Sequence, residues 1–106
     1  MAWFEAETWV RGNLRFNVSR LDHEFWDGRF CVWFRGSDYE EVGQVCENMS
    51  IRHCVKYAGD VVSMHVYEPS DLSLMVCMFA PRLILVEEWQ KPGIPSCLKD
   101  LFPPLP

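Results

Sequence analysis

Residues 29–49 have the sequence RFCVWFRGSDYEEVGQVCENM, in which a strand pattern is followed directly by a helix pattern. Apolar residues alternate with others over residues 30–34, as they do on a half-buried strand. Gly36 ends this strand because glycine interrupts regular structure. Ser37 stands three residues before Glu40, which is the spacing of a capping box, so a short helix is predicted to follow.

The segments on both sides of this stretch also carry strand patterns. Apolar residues alternate over residues 10–19, and a turn signal at residues 27–28 joins this segment to the next strand, which predicts an antiparallel pair. Alternation returns on both sides of Gly59 and predicts a hairpin. Two densely apolar segments, residues 72–79 and 82–89, are typical of central strands.

Together these patterns predict one α+β domain over residues 1–90. We expect a mostly antiparallel sheet of about six strands, with one short helix after the second strand, in the order ββαββββ. Residues 91–106 form a proline-rich C-terminal tail, in which residues 91–95 are predicted to be a linker, residues 96–102 could form one helical turn and residues 103–106 must be extended. No apolar stretch is long enough to span a bilayer and no signal-peptide pattern is present, so we expect a cytoplasmic protein with no membrane partner.

The chain is acidic overall, but its cations are unevenly placed. Ten Lys and Arg stand against fifteen Asp and Glu, for a net charge of -5, whereas the segment up to Arg35 is neutral and rich in arginine. Strand parity predicts one surface that is both cationic and aromatic, here called the Arg/Trp set. Its members are Trp9, Arg11, Arg15, Arg29, Trp33 and Arg35.

Two interpretations of the Arg/Trp set remain open. Guanidinium groups bind phosphates and indole rings stack on bases, which favours contact with RNA. Alternatively, the Arg and Trp side chains cover one another by cation-π contact, or the surface is buried in a homodimer.

A structural zinc ion is a second hypothesis. A three-residue turn centred on Gly59 would place His53 directly across from His65, and Cys46 or Cys77 could complete the ligand set. The alternative is that the five cysteines are reduced thiols, since they form no close pairs and no secretion signal accompanies them.

The C-terminal tail gives a third hypothesis. The string of Pro103, Pro104, Leu105 and Pro106 is similar to ligands of WW-type domains, which bind preformed polyproline II segments. The alternative is a tail that folds back over the domain, anchored by Leu98, Leu101 and Phe102.

Catalysis is not expected. The adjacent carboxylates at residues 40–41 and 87–88 should point apart, so they are predicted to be solvated rather than paired for acid–base chemistry. The sequence also contains no phosphate-binding glycine loop and no nucleophile elbow. We therefore expect a protein that is not an enzyme and that has no cofactor other than the zinc considered above.

The overall composition resembles a known group of viral proteins. The chain is small, begins at Met1, is rich in Trp, Cys, Met and Phe, has few Lys and ends in Pro-Pro-Leu-Pro. In these respects it is similar to the first-reading-frame proteins of sobemoviruses, plant RNA viruses in which this product suppresses RNA silencing. Some of those proteins carry Cys-x-x-Cys zinc fingers, a spacing that this sequence lacks.

The resemblance implies a viral accessory protein in the host cytoplasm that interferes with RNA silencing. With the Arg/Trp set, it favours contact with RNA or with a host RNA-handling protein. The competing hypothesis is a homodimeric protein-interaction adaptor that recruits its partner through the proline tail.

Overall fold

The computed structural model describes residues 4–21 and 30–105, so Arg29, Pro106 and the predicted turn at residues 27–28 lie outside the described residues. The described residues form six strands and three α-helices. They are β1 (Phe4–Arg11), β2 (Leu14–Leu21), β3 (Phe30–Arg35), α1 (Tyr39–Asn48), β4 (His53–Ala58), β5 (Val61–Val66), α2 (Pro69–Phe79), β6 (Leu83–Gln90) and α3 (Cys97–Leu101). Short 3-10 turns, Gly36–Asp38 and Ala80–Arg82, precede α1 and β6.

The strands form one sheet in the order β1-β2-β6-β3-β5-β4. All neighbours are antiparallel except β2 and β6, which run parallel. The predicted α+β class and the mostly antiparallel six-stranded sheet are therefore confirmed. The predicted order ββαββββ is wrong in detail, because the first helix follows β3 rather than the second strand and two further helices come after it.

The part of the chain from β3 to β6 has a recognised topology. Its element order is βαββαβ and its strands lie in the order β6-β3-β5-β4, which is the split βαβ or ferredoxin-like arrangement. The β1–β2 hairpin extends this unit, because β2 pairs with the outer edge of β6. The predicted direct pairing of the strands around residues 10–19 and 29–35 is wrong, since β6 lies between them.

Two elements differ from the sequence-based prediction for local reasons. The segment over residues 10–19 is not one strand, because Gly12 adopts a φ of 64° and reverses the chain between β1 and β2. The predicted strand at residues 72–79 is helix α2, which Pro69 opens at its first position.

The three helices cover one face of the sheet. From the strands, Phe16, Phe34 and Met64 are almost fully buried there, and from the helices so are Leu72 and Leu98. No helix within residues 4–21 and 30–105 packs on the opposite side, which is called the helix-free face below. In the same described ranges, no helix has the length and apolar character that crossing a membrane requires.

A buried carboxylate attaches the last helix to the sheet. Glu88 is 0% exposed, and it accepts hydrogen bonds from Ser96 Oγ at 2.5 Å and from the backbone N–H of Cys97 at 3.0 Å. Ser96 Oγ in turn accepts from the N–H of Lys99 at 3.0 Å, as an N-cap residue does. The expectation that Glu88 is solvated is therefore wrong.

The chain after α3 packs back on the β1–β2 hairpin. The Phe102 ring stacks on Phe16 with 5.2 Å between centroids, and Phe16 stacks on Trp9 at 5.7 Å. Trp9 Nε1 donates a hydrogen bond to the Phe102 carbonyl oxygen at 2.9 Å. Leu98 is buried and Leu101 is exposed. Leu98 and Phe102 thus provide the packing that the fold-back alternative requires.

We predict that Glu88→Gln lowers the free energy of unfolding by about 2–3 kcal/mol, because an amide cannot accept from the Ser96 hydroxyl and from the N–H groups of both Cys97 and Leu98 as the carboxylate does. Chemical denaturation at pH 7 measures this. The control is Glu41→Gln, which removes an exposed partner of Arg82 and should change stability by no more than about 0.5 kcal/mol. Equal stability of the two variants would show that Glu88 does not anchor α3.

Candidate nucleic-acid interface

The structure divides the Arg/Trp set between the two faces of the sheet. Arg15 lies on β2, and Trp33 and Arg35 lie on β3, all with the parity of the helix-free face. Trp9 pairs with the core residue Phe16, and Arg11 is likewise paired with a core residue, so both belong to the opposite face.

Turn length explains this division. Arg11 pairs with Leu14, so the turn between β1 and β2 contains two residues. Directly opposite residues share a face, so even-numbered β2 residues lie on the same side as odd-numbered β1 residues. The expectation that Trp9 and Arg11 share a surface with Arg15 is therefore wrong, because it treated residues 10–19 as one continuous strand.

One row of side chains crosses five strands of the helix-free face, and it is called the cationic row. Register pairing places its members side by side in the order Arg15, Leu85, Trp33, Ser63, Lys56. Arg15 and Lys56 are exposed, and Trp33 is half-buried between them. Neighbouring strands lie about 4.8 Å apart, so Trp33 is roughly 10 Å from either cation along the row. Arg35, also exposed, lies one row away, opposite Val61.

The three exposed cations of this face are not ion-paired with acids of the described ranges. Within residues 4–21 and 30–105, no salt bridge involves Arg15, Arg35 or Lys56. By contrast, Lys99 is held by Glu7 on the side that carries the helices, with 3.1 Å between Nζ and the carboxylate. The helix-free face therefore has a local positive charge that the net charge of -5 conceals.

A second, polar row crosses all six strands beside the cationic row. Its members are Thr8, Asn17, Glu87, Cys31, His65 and Cys54, each in register with the next. Glu87 is the acid of this row, and it is buried rather than solvated as the sequence suggested.

Glu87 fixes the orientation of the indole. Its Oε1 accepts a hydrogen bond from Trp33 Nε1 at 2.5 Å, and its Oε2 accepts from Asn17 Nδ2 at 3.4 Å. Asn17 Nδ2 also lies 2.9 Å from Ser19 Oγ, and Asn17 Oδ1 accepts from Thr8 Oγ1 at 3.0 Å. Because a charged acceptor strengthens the bond to the indole, the ring is held in place before any ligand binds.

The buried thiols of this protein are poor nucleophiles. Burial raises the pKa of Cys31 to about 12, with a further rise from the Glu87 carboxylate and smaller opposing effects from Ser63 and Lys56. Burial also raises the pKa of Cys46 and Cys97. Because the thiolate is the reactive form, none of these three thiols favours covalent catalysis at neutral pH.

The zinc hypothesis fails on the register of the β4–β5 hairpin. His53 pairs with Val66, whereas His65 pairs with Cys54, so the two imidazoles lie on opposite faces. The reason is a turn of two residues, with Gly59 at a φ of 66°, where three residues were expected. Cys46 lies in the core beside Met64, and its Sγ is 3.8 Å from Met64 Sδ. Cys77, the other ligand considered, lies exposed on α2.

Among the described residues, no group of three or more His, Cys, Asp or Glu could hold a metal ion.

Sequence reasoning missed several residues of this face. Lys56 was placed on a hairpin but not related to Trp33, and Leu85 and Glu87 were assigned to a strand with unknown neighbours. The densely apolar pattern of β6 predicts a central strand, but which strands flank it depends on pairing between residues about 70 positions apart, such as Asn17 and Glu87. No local signal reports that pairing.

We predict that alkaline conditions destabilise the fold through Cys31. Its pKa is raised above the ordinary value of 9.0 in the folded state, so the unfolded chain releases the proton first. The stabilisation is complete below pH 9 and is lost as the pH rises towards 12, by at most about 1.4 kcal/mol per pH unit.

Denaturation curves between pH 8 and pH 11 test this, and Cys31→Ala should flatten the decline. Cys54→Ala removes an exposed thiol of the same row and should leave the wild-type slope. Identical slopes for wild type and Cys31→Ala would contradict the assignment.

Comparisons with protein-family models, with curated proteins and with solved structures found no match to this chain.

Proposed function

We propose that this protein is a small, non-enzymatic accessory protein that binds single-stranded RNA on its helix-free face and thereby interferes with RNA silencing. The observation that carries the proposal is the cationic row, in which Trp33 lies between Arg15 and Lys56, with Arg35 beside it. The resemblance of the sequence to the sobemovirus proteins supports a viral origin and a site of action in the host cytoplasm.

The side chains of the cationic row can bind both the bases and the phosphates of single-stranded RNA. An indole stacks on any base, and base–aromatic stacking contributes about 1–3 kcal/mol per base in single-strand binding proteins. Flanking cations bind the phosphates of the same strand. Duplex RNA keeps its bases stacked on one another, so a half-buried ring in a sheet surface favours single strands.

The position of Trp33 in the fold strengthens the proposal. It lies on β3, a central strand of the ferredoxin-like unit, and His65 lies diagonally across from it on β5. RNA-recognition domains stack bases on rings of a four-stranded sheet in a comparable way. This is an analogy of architecture and does not by itself assign a function.

The acidic net charge restricts which face of the protein can bind RNA. Most acids of the described ranges lie on the helices and their flanking turns, for example Glu40, Glu41 and Glu47 on α1. An RNA strand bound on the helix-free face does not approach the side of the molecule that carries these acids. RNA held there is withheld from the host proteins that would use it in silencing.

We predict that labelled single-stranded RNA binds at low salt and that its affinity falls as salt is raised. The double variant Arg15→Ala/Arg35→Ala should bind roughly tenfold more weakly, and its log-log salt dependence should be shallower by about 1.4, the value expected for two lost phosphate contacts. Filter binding at several salt concentrations measures both quantities.

The matched control is Lys91→Ala/Lys99→Ala, which changes the net charge equally but leaves the helix-free face intact. Trp33→Leu should weaken binding more than Trp33→Phe, which keeps a ring for stacking. Absence of binding at low salt, or equal effects of the two double variants, would overturn the proposal.

A protein-interaction adaptor is the second candidate function. Pro103, Pro104 and Leu105 are all exposed directly after the anchored Phe102, and Leu105 is 65% exposed. The structure thus presents the described part of the proline string while the preceding residues hold it to the fold. Such an adaptor would recruit a WW-type domain and could use the helix-free face to form a homodimer.

For the adaptor, we predict that calorimetry detects binding of a WW-type domain to the wild-type protein, and that Pro104→Ala weakens it at least tenfold. Because Pro104 is exposed, the melting temperature should not change. Pro92→Ala alters an exposed proline outside the string and serves as the control. Equal affinities for the wild type and Pro104→Ala would exclude this recruitment mode.

A further inference from the structure

A bulge in β6 creates an unusual apolar spot on the sheet. Trp33 pairs with Leu85 but the next residue, Phe34, pairs with Leu83, so Ile84 is an extra residue on β6. Its side chain is 43% exposed, and it lies near the start of β6, where β3 runs alongside but the pairing with β2 begins only at Leu85. Bulges of this kind redirect a side chain, and they recur next to binding sites.

A surface depression of about 500 Å³ lies against Ile84 on the side of the β1–β2 turn. Val10 and Leu85 contribute further apolar surface to it, and Val10 is 52% exposed. Its lining consists of Val10, Gly12, Asn13, Arg15, Ile84 and Leu85. The volume lies within the range of small-ligand sites.

The charged and polar residues that line this depression indicate which ligand it can bind. Of the residues that the structure describes, Arg15 is the one charged residue that lines it, and the exposed Asn13 brings an amide that can both donate and accept. A second depression on the other side of Ile84 is lined by Arg35 but also by Asp60. The apolar surface, the cation and the amide of the first depression match a nucleotide base and its phosphate. In the second depression, the Asp60 carboxylate would repel a phosphate.

The depression is continuous with the cationic row. Leu85 lines it and also lies directly between Arg15 and Trp33. An RNA strand that stacks one base on Trp33 therefore places the adjacent base over Leu85 and Ile84. Leu85 lies on the neighbouring β-strand, about 4.8 Å from β3.

We propose that this depression is a subsite for one unpaired base of the bound RNA, next to the base that stacks on Trp33. The base packs on Val10, Ile84 and Leu85, Arg15 binds its phosphate, and Asn13 contacts its hydrogen-bonding edge. This inference rests on the proposed function and specifies its ligand as a strand with at least two consecutive unpaired bases.

The test compares two ligands of equal length, a single-stranded RNA and a strand with the same sugar–phosphate backbone but no bases. Val10→Ser/Ile84→Ser should weaken binding of the RNA by roughly four- to fifteenfold, the effect of removing one to two buried methylene equivalents. It should leave binding of the baseless strand unchanged, since Arg15 remains. Met49→Ser, which alters an apolar residue of similar exposure after α1, is the matched control.

The results of this experiment distinguish failure of the subsite from failure of the proposed RNA-binding function. Wild-type RNA binding that Val10→Ser/Ile84→Ser does not change overturns the subsite and leaves the proposed function standing. Equal weakening with both ligands also overturns it, because the variant would then affect phosphate contacts. If the wild type binds neither ligand, both proposals fall. If sedimentation shows a wild-type dimer that the variant disrupts while RNA binding is retained, the depression is an interface between copies.

Discussion

Two consecutive carboxylates on β6 form the hydrogen bonds that position neighbouring groups on the two faces of the sheet. Glu87 and Glu88 point to opposite faces of a strand that is bound on both edges, and both are buried. Glu88 binds the start of α3 on the core face, while Glu87 binds Trp33 and Asn17 on the helix-free face. Buried charges are costly unless hydrogen bonds satisfy them, so each carboxylate constrains the groups around it. The packing of the C-terminal segment and the geometry of the candidate RNA site thus depend on one short stretch of strand.

The sequence contained enough information for the class of fold but not for its full connectivity. The α+β class, the β4–β5 hairpin and a helix after Gly36 were all predicted. The capping box itself does not form, since a 3-10 turn precedes α1 and no side-chain cap hydrogen bond is made.

Helix α2 was mistaken for a strand because it is apolar on most sides. Its buried residues Leu72, Met75, Val76 and Phe79 nevertheless follow helical spacing.

The candidate site shows how sensitive face assignments are to turn length. Both hairpins have two-residue turns with a glycine of positive φ in the first position. A miscounted turn residue moves every later side chain to the other face. The expected pairing of His53 with His65 is wrong for this reason, and that of Trp9 with Arg15 is wrong because the turn at Gly12 was not expected at all. Trp33 and Arg35 were assigned correctly to a common face because they lie on one uninterrupted strand.

The stack of Trp9, Phe16 and Phe102 has a consequence for the order in which the chain matures. The first two rings belong to the opening hairpin, and the third lies 86 positions after Phe16. During synthesis on the ribosome, the hairpin therefore emerges long before the ring that covers it. Its apolar surface stays available to chaperones until Phe102 has been synthesised and can pack on it.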